Sequence, residues 1–569
     1  MKRGQEEKIY EFLSNLNGQL YIPIYQREYS WNKENREYFW EHIVGMNLNN
    51  SKRTHYCHSI LTKEYSGSVF DLPEIAIIDG QQRVTTSSLF YASICAFCKE
   101  HEIDFDWENK IYNKVLINNA GEKDKKYRLK LKDGKDNDTF TMIVDDLPIS
   151  LSKKAGNGMI IETYNFFLNK LTVENVLDIL AKFDRFTIGN DIAEDHDSAQ
   201  LLFETINYAG TPLKEYQILR SYTLLNFEQE EQNLMYYRYW VPIMEYFNNI
   251  AGKLNKFING FVAYALNQVE PSISPMRYIK EKEDENYSKE DFLKEVTDYF
   301  EKFKVIDNGT GIDEVDKSIE VILSLNNVFL YPLLIKIYDF YVNDDIDLQE
   351  FIASIKLIET QMMRQKIVNK ASFGHTFRVV FNKIKWDSKN VFNTLYNIFD
   401  KNNMIISDAV FKGTIVTSDF YEDYKPQLTF KVLECIENSF YPNGHISLKN
   451  ELSKYSIEHI MPQTLNKDWQ FIDEITHKSF VHSLGNLTLT AYNSKLSNKS
   501  FKEKLEMDKG FKADRLCLNK SVAVYNHWNE DTIAKRTEMM ADVMVELWQY
   551  PSFMKNGLLQ SQSLLVGGK

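Results

Sequence analysis

The sequence predicts an α+β protein that is mainly helical and divided into several domains. A chain of 569 residues is too long for one hydrophobic core, and 43% apolar residues suffice for packed interiors. Residues 228–429 contain little Pro or Gly and repeat apolar residues with the 3.6-residue period of helices. Within them the pattern predicts one buried helix from Leu323 to Leu334 and another from Phe351 to Ile358. Short apolar strands are predicted toward both ends of the chain, before Asp79 and around His459.

The beginning of the chain combines a helical pattern with an extended segment. Apolar residues recur with helical spacing over residues 1–20. Pro23 requires an extended chain before it, and Ser30 is a suitable N-cap for a helix over 33–44. Farther along, the charged stretch 123–138 predicts an exposed hairpin or loop.

A buried strand that turns directly into a helix is predicted near residue 79. The run is Ile75, Ala76, Ile77, Ile78, Asp79, Gly80, Gln81, Gln82 and Arg83. Free amides and the positive end of the helix dipole attract anions at such a helix start. We expect Arg83 to add a forked contact to phosphate oxygens and Arg27 to supply another from the opposite side. The alternative is a structural turn that carries a surface arginine.

A polar pair precedes the end of this N-terminal part. Glu204 and Asn207 lie three residues apart on one helix face, where both can reach a common ligand. Asn207, followed by Gly210, equally suits a turn at the end of the helix. Both roles for Asn207 therefore stay open.

Cysteine content and hydropathy bound the location of the protein. Five cysteines fit a reducing compartment. Cys95 and Cys98 lie inside an apolar run, which favours buried helix residues over a zinc site. No apolar run is long enough to cross a bilayer, and no charged-then-apolar leader follows Met1. We therefore expect a cytoplasmic protein.

The net charge of −13 argues against a protein that coats nucleic acid nonspecifically. The charge is uneven, however, since residues 494–520 hold eight Lys+Arg against four Asp+Glu. Lys495, Lys499 and Lys502 in this stretch are predicted to contact the DNA backbone. Lysines on a solvated helix give a similar pattern.

The stretch 457–504 orders residues that suit the cutting of a phosphodiester. A short apolar strand carries Glu458-His459, a loop with His482 follows, and a second strand begins at Asn486. Asn493 opens a Lys-rich helix over 495–507, and helices follow from about Asp531 to Tyr550. A neutral imidazole at His459 accepts a proton from water near neutral pH, and Asn486 is placed to orient it. Glu458 and Asn493 offer oxygen ligands, the type that Mg²⁺ or Mn²⁺ prefers. The alternative is a surface pair on a strand, followed by a turn residue.

Several blocks in the last quarter of the chain resemble the HNH (His-Me finger) nuclease domain of GmrSD-type restriction endonucleases. The blocks read Glu-His-Ile-x-Pro-Gln, Leu-Gly-Asn-Leu-Thr-Leu and Phe-Lys-Glu-Lys. This resemblance implies a ββα-metal fold in a type IV, modification-dependent enzyme. It assigns the base to His459, the central Asn to Asn486 and the last metal position to Asn493.

The N-terminal part resembles the other half of these enzymes, a ParB/sulfiredoxin-like domain with an Asp-Gly-Gln-Gln-Arg signature. The resemblance implies binding and hydrolysis of a nucleoside triphosphate, coupled to DNA cutting. The implied nucleotide-binding residues are Gln26, Arg27, Asp79, Gly80, Gln81, Gln82, Arg83 and Asn207, with catalytic roles for Asp79 and Arg83. Two positions depart from the pattern, since Gln217 stands where Asp is usual and His58 where Gly is usual.

These observations predict four segments. They are a ParB/sulfiredoxin-like domain over 1–227, a helical bundle over 228–429, an HNH nuclease domain over 430–550 and a flexible tail over 551–569. We expect a nucleotide-regulated, modification-dependent DNA endonuclease in anti-phage defence, with phage DNA and a nucleoside triphosphate as partners. A nucleotide-responsive DNA-binding regulator with an inactive nuclease site and an RNA-cleaving toxin remain alternatives. The sequence leaves homo-oligomerisation open.

Overall fold

The computed structural model describes residues 6–48, 54–65, 72–132, 134–147, 158–193, 214–224, 227, 229–267, 274–283, 287–325, 330–370, 381–441 and 455–550. The chain forms two compact units, 1–255 with 279–294 and 256–278 with 295–569. The fold is a mainly helical α+β structure, which confirms the predicted class. The compact units have other boundaries than the predicted domains, and the division into functional domains stays a prediction.

The first unit surrounds a mixed sheet with helices. Its strands are β1 (Glu6–Lys8), β2 (Gln19–Tyr21), β3 (His55–Tyr65), β4 (Glu74–Asp79), β5 (Leu129–Lys130) and β6 (Phe186–Ile192). Its helices are α1 (Ile9–Ser14), α2 (Lys33–Val44), α3 (Gln81–Glu100), α4 (Lys135–Asp145), α5 (Met159–Leu168), α6 (Val176–Phe183), α7 (Glu215–Leu224), α8 (Gln229–Met235) and α9 (Val241–Tyr246). Segments Glu108–Leu116 and Tyr236–Trp240 are π-helical, and Lys123–Lys126 is a 3₁₀ turn.

The sheet has the strand order β1-β6-β3-β4-β2-β5. Strand β4 pairs parallel with β2 and antiparallel with β3, so it is a central strand. Its apolar residues Ala76, Ile77 and Ile78 are buried, as the continuous apolar run predicts. Helix α3 follows directly and is buried from Gln81 to Cys98 apart from Arg83, because it packs against α5, α6 and the first π-helical segment.

Predictions for the start of the chain are confirmed in part. The helix over 33–44 is confirmed, but its N-cap is Asn32, whose side chain accepts a hydrogen bond from the amide of Asn35. Ser30 is not the cap, because its amide donates to Gln82 instead. The predicted helix over 1–20 is wrong in length: within it α1 spans six residues, between two strands.

The predicted loop over 123–138 is wrong in part, because it contains β5 and the start of α4. The buried helix cysteines are confirmed, since Cys95 and Cys98 are both inside α3. The motif from residue 203 to 213, with Glu204, Asn207 and Gly210, lies outside the described residues.

The second unit is a helical array that ends in a β-hairpin. Its helices are α12 (Lys289–Asn308, which begins in the first unit), α13 (Asp313–Ser324), α14 (Leu330–Val342), α15 (Leu348–Asn369), α16 (Val391–Lys401), α17 (Asp408–Thr417), α18 (Pro426–Ser439), α19 (Glu474–Phe480), α20 (Asn493–Leu496), α21 (Phe501–Glu506), α22 (Cys517–Val522) and α23 (Glu530–Leu547). Two helices precede α12, namely α10 (Ala251–Leu266) and α11 (Pro275–Glu283), and the boundary between the two units falls within each of them. The hairpin consists of β7 (Ser456–His459) and β8 (Leu487–Thr490).

Helix α15 is the centre of this unit and confirms the helix predicted around Phe351 and Ile358. Its buried Arg364 donates hydrogen bonds to the carbonyl oxygens of Trp548 and Ile406 at 2.7 and 2.8 Å. A guanidinium in this position satisfies carbonyls that burial would leave unpaired. A single helix through Leu323 and Leu334 is wrong, because α13 ends at Ser324 and α14 begins at Leu330.

The end of the chain follows the predicted order of elements. The helix predicted over 495–507 is wrong as one element, because Ser497 has a left-handed φ of 42° and Ser500 caps a new helix, α21. The helix predicted from Asp531 is confirmed as α23. No helix in the described part of the chain is long and apolar enough to cross a membrane.

His58 adopts a backbone conformation that favours glycine. It lies in β3 with a φ of 64°, at an irregularity in the pairing of β3 with β6. L-residues with a Cβ atom are strained in this region by about 1–2 kcal/mol. The resemblance noted a usual Gly at this position, and the geometry gives the physical reason for it.

We therefore expect His58→Gly and His58→Val to move stability in opposite directions. The side chain is exposed, so neither change alters packing. Because a β-branched residue is the most strained at positive φ, the free energies of unfolding of the two variants should differ by about 2 kcal/mol. Chemical denaturation of the full chain measures this difference, and equal stabilities would contradict the strain.

Candidate nuclease and nucleotide sites

The hairpin of β7 and β8 positions His459 at the end of a strand. The strands pair antiparallel, with His459 opposite Leu487. The pairing continues one step farther, since the amide of Ile460 donates to the carbonyl oxygen of Asn486 at 2.9 Å. The sequence motifs predicted both strands, and the structure brings them together.

The side chain of Asn486 is fully buried and uses both ends of its amide. Its Oδ1 accepts hydrogen bonds from the amide of Met461 and the indole of Trp528, at 2.7 and 3.0 Å. Its Nδ2 donates to the carbonyl oxygens of Met461 and Val481, at 2.9 and 2.8 Å. Asn486 therefore holds the backbone next to His459, and its side-chain hydrogen bonds go to Met461, Val481 and Trp528 and not to the imidazole.

The residue before Asn486 allows helix α23 to approach the hairpin. A Cβ atom on Gly485 would lie 2.3 Å from the carbonyl oxygen of Ile533 and from Oγ1 of Thr537. The buried guanidinium of Arg536 donates to the carbonyl oxygens of Gly485 and Leu487, at 2.6 and 2.8 Å. These contacts explain why a glycine precedes the asparagine at the start of β8.

The imidazole of His459 contacts three side chains. Its Nε2 lies 3.2 Å from Nδ1 of His482, and its Nδ1 lies 3.1 Å from the amide nitrogen of Gln463. The ring of Tyr421 meets it edge-on, at 4.6 Å between centroids. Only 6% of His459 is exposed, so the ring is held on nearly all sides.

Burial keeps the imidazole of His459 neutral. It lowers the pKa of His459 to about 3, and the nearby charges of His482 and Lys504 act in the same direction. At neutral pH the ring is therefore unprotonated, which is the form in which a general base acts.

Glu458 points away from His459 and is paired with a buried lysine. Neighbouring residues of a strand face opposite sides. The Nζ atom of Lys504 lies 2.6 Å from Oε1 of Glu458 and also donates to the carbonyl oxygens of His459 and Ile460. Burial raises the pKa of Glu458 and lowers that of Lys504, and each charge opposes the shift of the other. This geometry does not support the predicted metal role of Glu458, because an ammonium group already neutralises the carboxylate.

Asn493 lies at the start of α20, beside β7. Its Nδ2 donates to Oγ of Ser456 and to the carbonyl oxygen of Ile457, both at 3.0 Å. The amide group borders a cavity of about 880 Å³, which is also lined by Tyr421 and Ile457. With Nδ2 in use, Oδ1 is the atom of Asn493 that suits a cation. Among the described residues, no group of three or more His, Cys, Asp or Glu could hold a metal ion.

The lysines predicted to contact DNA are on the surface. Lys495, Lys499 and Lys502 are all exposed. The ammonium of Lys495 lies 5.8 Å from the ring centre of Tyr492, and that of Lys509 lies 4.9 Å from the same ring. Basic side chains therefore flank the residue that precedes Asn493.

In the first unit, two glutamines of the predicted nucleotide site form hydrogen bonds to the backbone of neighbouring segments. Nε2 of Gln26 donates to the carbonyl oxygen of Ile78 at 2.8 Å. Gln82 accepts a hydrogen bond from the amide of Ser30 at 2.9 Å and donates to the carbonyl oxygen of Glu28 at 3.1 Å. These contacts join the segment around Arg27 to the end of β4 and the start of α3.

Asp79 and two arginines form the charged part of this site. Nη2 of Arg83 lies 3.0 Å from Oδ2 of Asp79, and Nη1 donates to the carbonyl oxygen of Cys57 at 2.7 Å. Burial raises the pKa of Asp79, while the charges of Arg83 and Arg27 oppose that shift. Gly80 turns the chain with a φ of 94°, and a Cβ atom there would lie 2.9 Å from Ile60. Gln81, which begins α3, is buried.

A small cavity lies beside this segment. It measures about 190 Å³, and its polar lining residues are Arg27, Glu28, Tyr29, Lys132, Lys135 and Asp136. Burial is the main reason that the pKa of Lys132 is lowered to about 8.

Gln217, which stands in place of the usual Asp, accepts a hydrogen bond from the amide of Lys214 at the start of α7. Its role there is local, because it caps the helix.

Comparison with known families matches both regions. Residues 9–224 match the N-terminal domain of the GmrSD restriction endonucleases, and residues 405–543 match the C-terminal domain of the same family. The chain belongs to the GmrSD restriction endonucleases. Comparison with individual curated proteins gave no match. Family membership identifies a nuclease that binds and cleaves DNA, and it suggests use of a divalent metal.

Some residues around His459 in this GmrSD endonuclease escaped sequence reasoning. Gln463 and Lys504 are inside the motif blocks. The motifs do not indicate, however, that Gln463 contacts the imidazole of His459 or that Lys504 pairs with the carboxylate of Glu458. His482 was seen only as a loop residue, and Tyr421 and Glu422 lie far ahead in the chain. Contacts between residues far apart in the chain leave no periodic pattern in the sequence, and only the folded structure brings these side chains together around His459.

The pair of Lys504 and Glu458 predicts the cost of removing one charge. Lys504→Met leaves the carboxylate buried without a partner, and we expect the free energy of unfolding to fall by about 3–5 kcal/mol. The matched control is the double variant Lys504→Met/Glu458→Leu, which removes both charges and should recover part of the loss, because the carbonyl oxygens of His459 and Ile460 still lack their donor. Urea denaturation measures both variants. A Lys504→Met protein as stable as the wild type would contradict the buried ion pair.

Proposed function

We propose that this GmrSD endonuclease is a nucleotide-regulated, modification-dependent enzyme that cuts DNA in anti-phage defence, with an HNH-type site in its second unit. The observation that carries the proposal is the neutral imidazole of His459, buried except on the side of the exposed Gln463. It stands at the end of a β-hairpin whose following helices present exposed lysines. A base and a basic surface on one ββα element suit a phosphodiester substrate.

His459 serves as the general base in this proposal. It takes one proton from a water molecule, and the oxygen of that water bonds to phosphorus. The bond from phosphorus to the leaving sugar oxygen then breaks, and that oxygen takes a proton from solvent. Lys495, Lys499 and Lys502 bind the DNA backbone through their charge, which orients the phosphate toward His459.

The residues present do not form a complete cation site. Glu458 and Asn493 are the two predicted ligands, and Lys504 already occupies the carboxylate of Glu458. Asn493 therefore supplies one oxygen, whereas a magnesium ion has six ligands and often takes several of them from water and substrate phosphate. We keep Asn493 as the candidate ligand for Mg²⁺ or Mn²⁺ and derive no step through the ion.

The nucleotide is proposed to bind at the segment from Asp79 to Arg83. The start of α3 offers backbone amides and the positive end of a long helix. Arg83 pairs with Asp79, the charge of Arg27 also acts on that carboxylate, and the cavity that Arg27 lines adds Lys132 and Lys135. Gln26 and Gln82 support this site from within, by fixing the segment that carries Arg27. The proposed contact of Asn207 lies outside the described residues.

The two activities are expected to separate by mutation. His459→Ala should abolish DNA cleavage and leave nucleotide turnover intact, because the base and the proposed nucleotide site are in different compact units. Asp79→Ala should abolish turnover. The assay uses the purified full chain with magnesium, crosses modified phage DNA against plain DNA and RNA, and tests each nucleotide in turn.

His527→Ala is the matched control, because His527 is an exposed histidine of the same unit as His459. It should cleave as the wild type does. Loss of both activities in a folded His459→Ala protein would contradict the division of labour. Retained turnover in Asp79→Ala would remove the nucleotide site, and cleavage of RNA in place of DNA would favour the toxin.

A further inference from the structure

The two ring nitrogens of His459 have different surroundings. Nε2 faces His482, whose side chain is only 16% exposed. Nδ1 faces the amide of Gln463, which is an exposed side chain. A water molecule can therefore reach Nδ1 by displacing the exposed amide of Gln463, whereas Nε2 is enclosed.

A carboxylate at the far end of the histidine pair determines where the hydrogens lie. Nε2 of His482 is 3.2 Å from Oε1 of Glu422, and a carboxylate has no hydrogen to donate, so its negative charge disfavours a lone pair on that nitrogen. In neutral His482 the hydrogen is therefore on Nε2, which makes Nδ1 an acceptor. Nδ1 of His482 in turn requires a hydrogen on Nε2 of His459. The lone pair of His459 is then on Nδ1, toward Gln463.

The segment with Tyr421 and Glu422 fixes this arrangement from one side. The amide of Tyr421 donates to the carbonyl oxygen of His482 at 3.2 Å. The ring of Tyr421 stacks on His482 with an angle of 13° between planes, and it meets His459 edge-on. Both imidazoles therefore pack against one aromatic ring, while the carboxylate of Glu422 lies within ion-pair distance of the outer nitrogen of His482.

We infer that Nδ1 of His459 is the basic atom of the nuclease, and that His482 and Glu422 are positioning residues that fix its tautomer. This inference rests on the proposed function, in which His459 is the base. The proton from water goes to Nδ1, and Nε2 keeps its hydrogen throughout. His482 and Glu422 exchange no proton in the step; they hold the ring and stabilise the positive charge that forms on it.

Two substitutions of His482 separate this role from packing. His482→Asn puts Oδ1 near the position of Nδ1, so an acceptor for His459 remains. His482→Gln puts its amide near the position of Nε2, so the contact to Glu422 remains and the acceptor for His459 is lost. The two variants are close in size and polarity, and a packing role would affect both alike.

The test measures kcat and KM for DNA cleavage by the full-length variants under the conditions in which the wild type cuts. We expect His482→Gln to lose about 10- to 100-fold in kcat with KM unchanged, and His482→Asn to stay within about threefold of wild type. Glu422→Gln, at a largely exposed position, should lose about two- to fivefold in kcat. Thermal unfolding checks that each variant is folded.

Each outcome bears on the inference. Equal losses in His482→Asn and His482→Gln, or wild-type kcat in both, would overturn the positioning role. If His482→Gln does not fold, Glu422→Gln decides, because its change is on the surface; wild-type kcat there would overturn the role. Cleavage by His459→Ala would instead refute the proposed function, whereas an inactive His459→Ala with a fully active His482→Gln would refute only the tautomer assignment.

Discussion

The C-terminal domain of this GmrSD endonuclease depends on one buried amide, the side chain of Asn486. It joins the chain that leaves β7, at Met461, to the chain that enters β8, at Val481. A buried amide with all its hydrogen bonds made gives directional constraint that apolar packing does not. The position of His459 follows from this constraint, since the residues on both sides of the hairpin end cannot move independently.

Buried cations serve the same purpose elsewhere in the second unit. Lys504 holds the carbonyl oxygens of His459 and Ile460, Arg536 holds those of Gly485 and Leu487, and Arg364 holds that of Trp548. Each donates hydrogen bonds to backbone carbonyl oxygens that would otherwise be buried without partners. In the first unit Gln26 and Gln82 do this with neutral amides. Motif residues in both units thus stabilise the backbone of the sites that they are proposed to form.

Sequence patterns predicted the elements with continuous or periodic apolar residues. They failed where a contact between residues far apart in the chain determines the structure. The run before Asp79 is apolar throughout, so β4 and the helix after it were predictable. Asn32 replaced Ser30 as a cap because Gln82, far along the chain, takes the amide of Ser30. The motifs predict that His459 and Asn486 lie together, whereas nothing in the sequence pairs Glu458 with Lys504. Contacts between distant polar residues depend on the whole fold, and no short pattern encodes them.

The central claim is that the amide of Asn486 builds the geometry in which His459 cuts DNA. The most direct measurement is DNA cleavage by Asn486→Asp, which has the same shape but loses both donors and faces two carbonyl oxygens. The account predicts that cleavage is lost, that the free energy of unfolding falls by at least about 3 kcal/mol, and that nucleotide turnover continues. The same change at the exposed Asn526 should leave cleavage intact. Wild-type cleavage by Asn486→Asp would contradict the account.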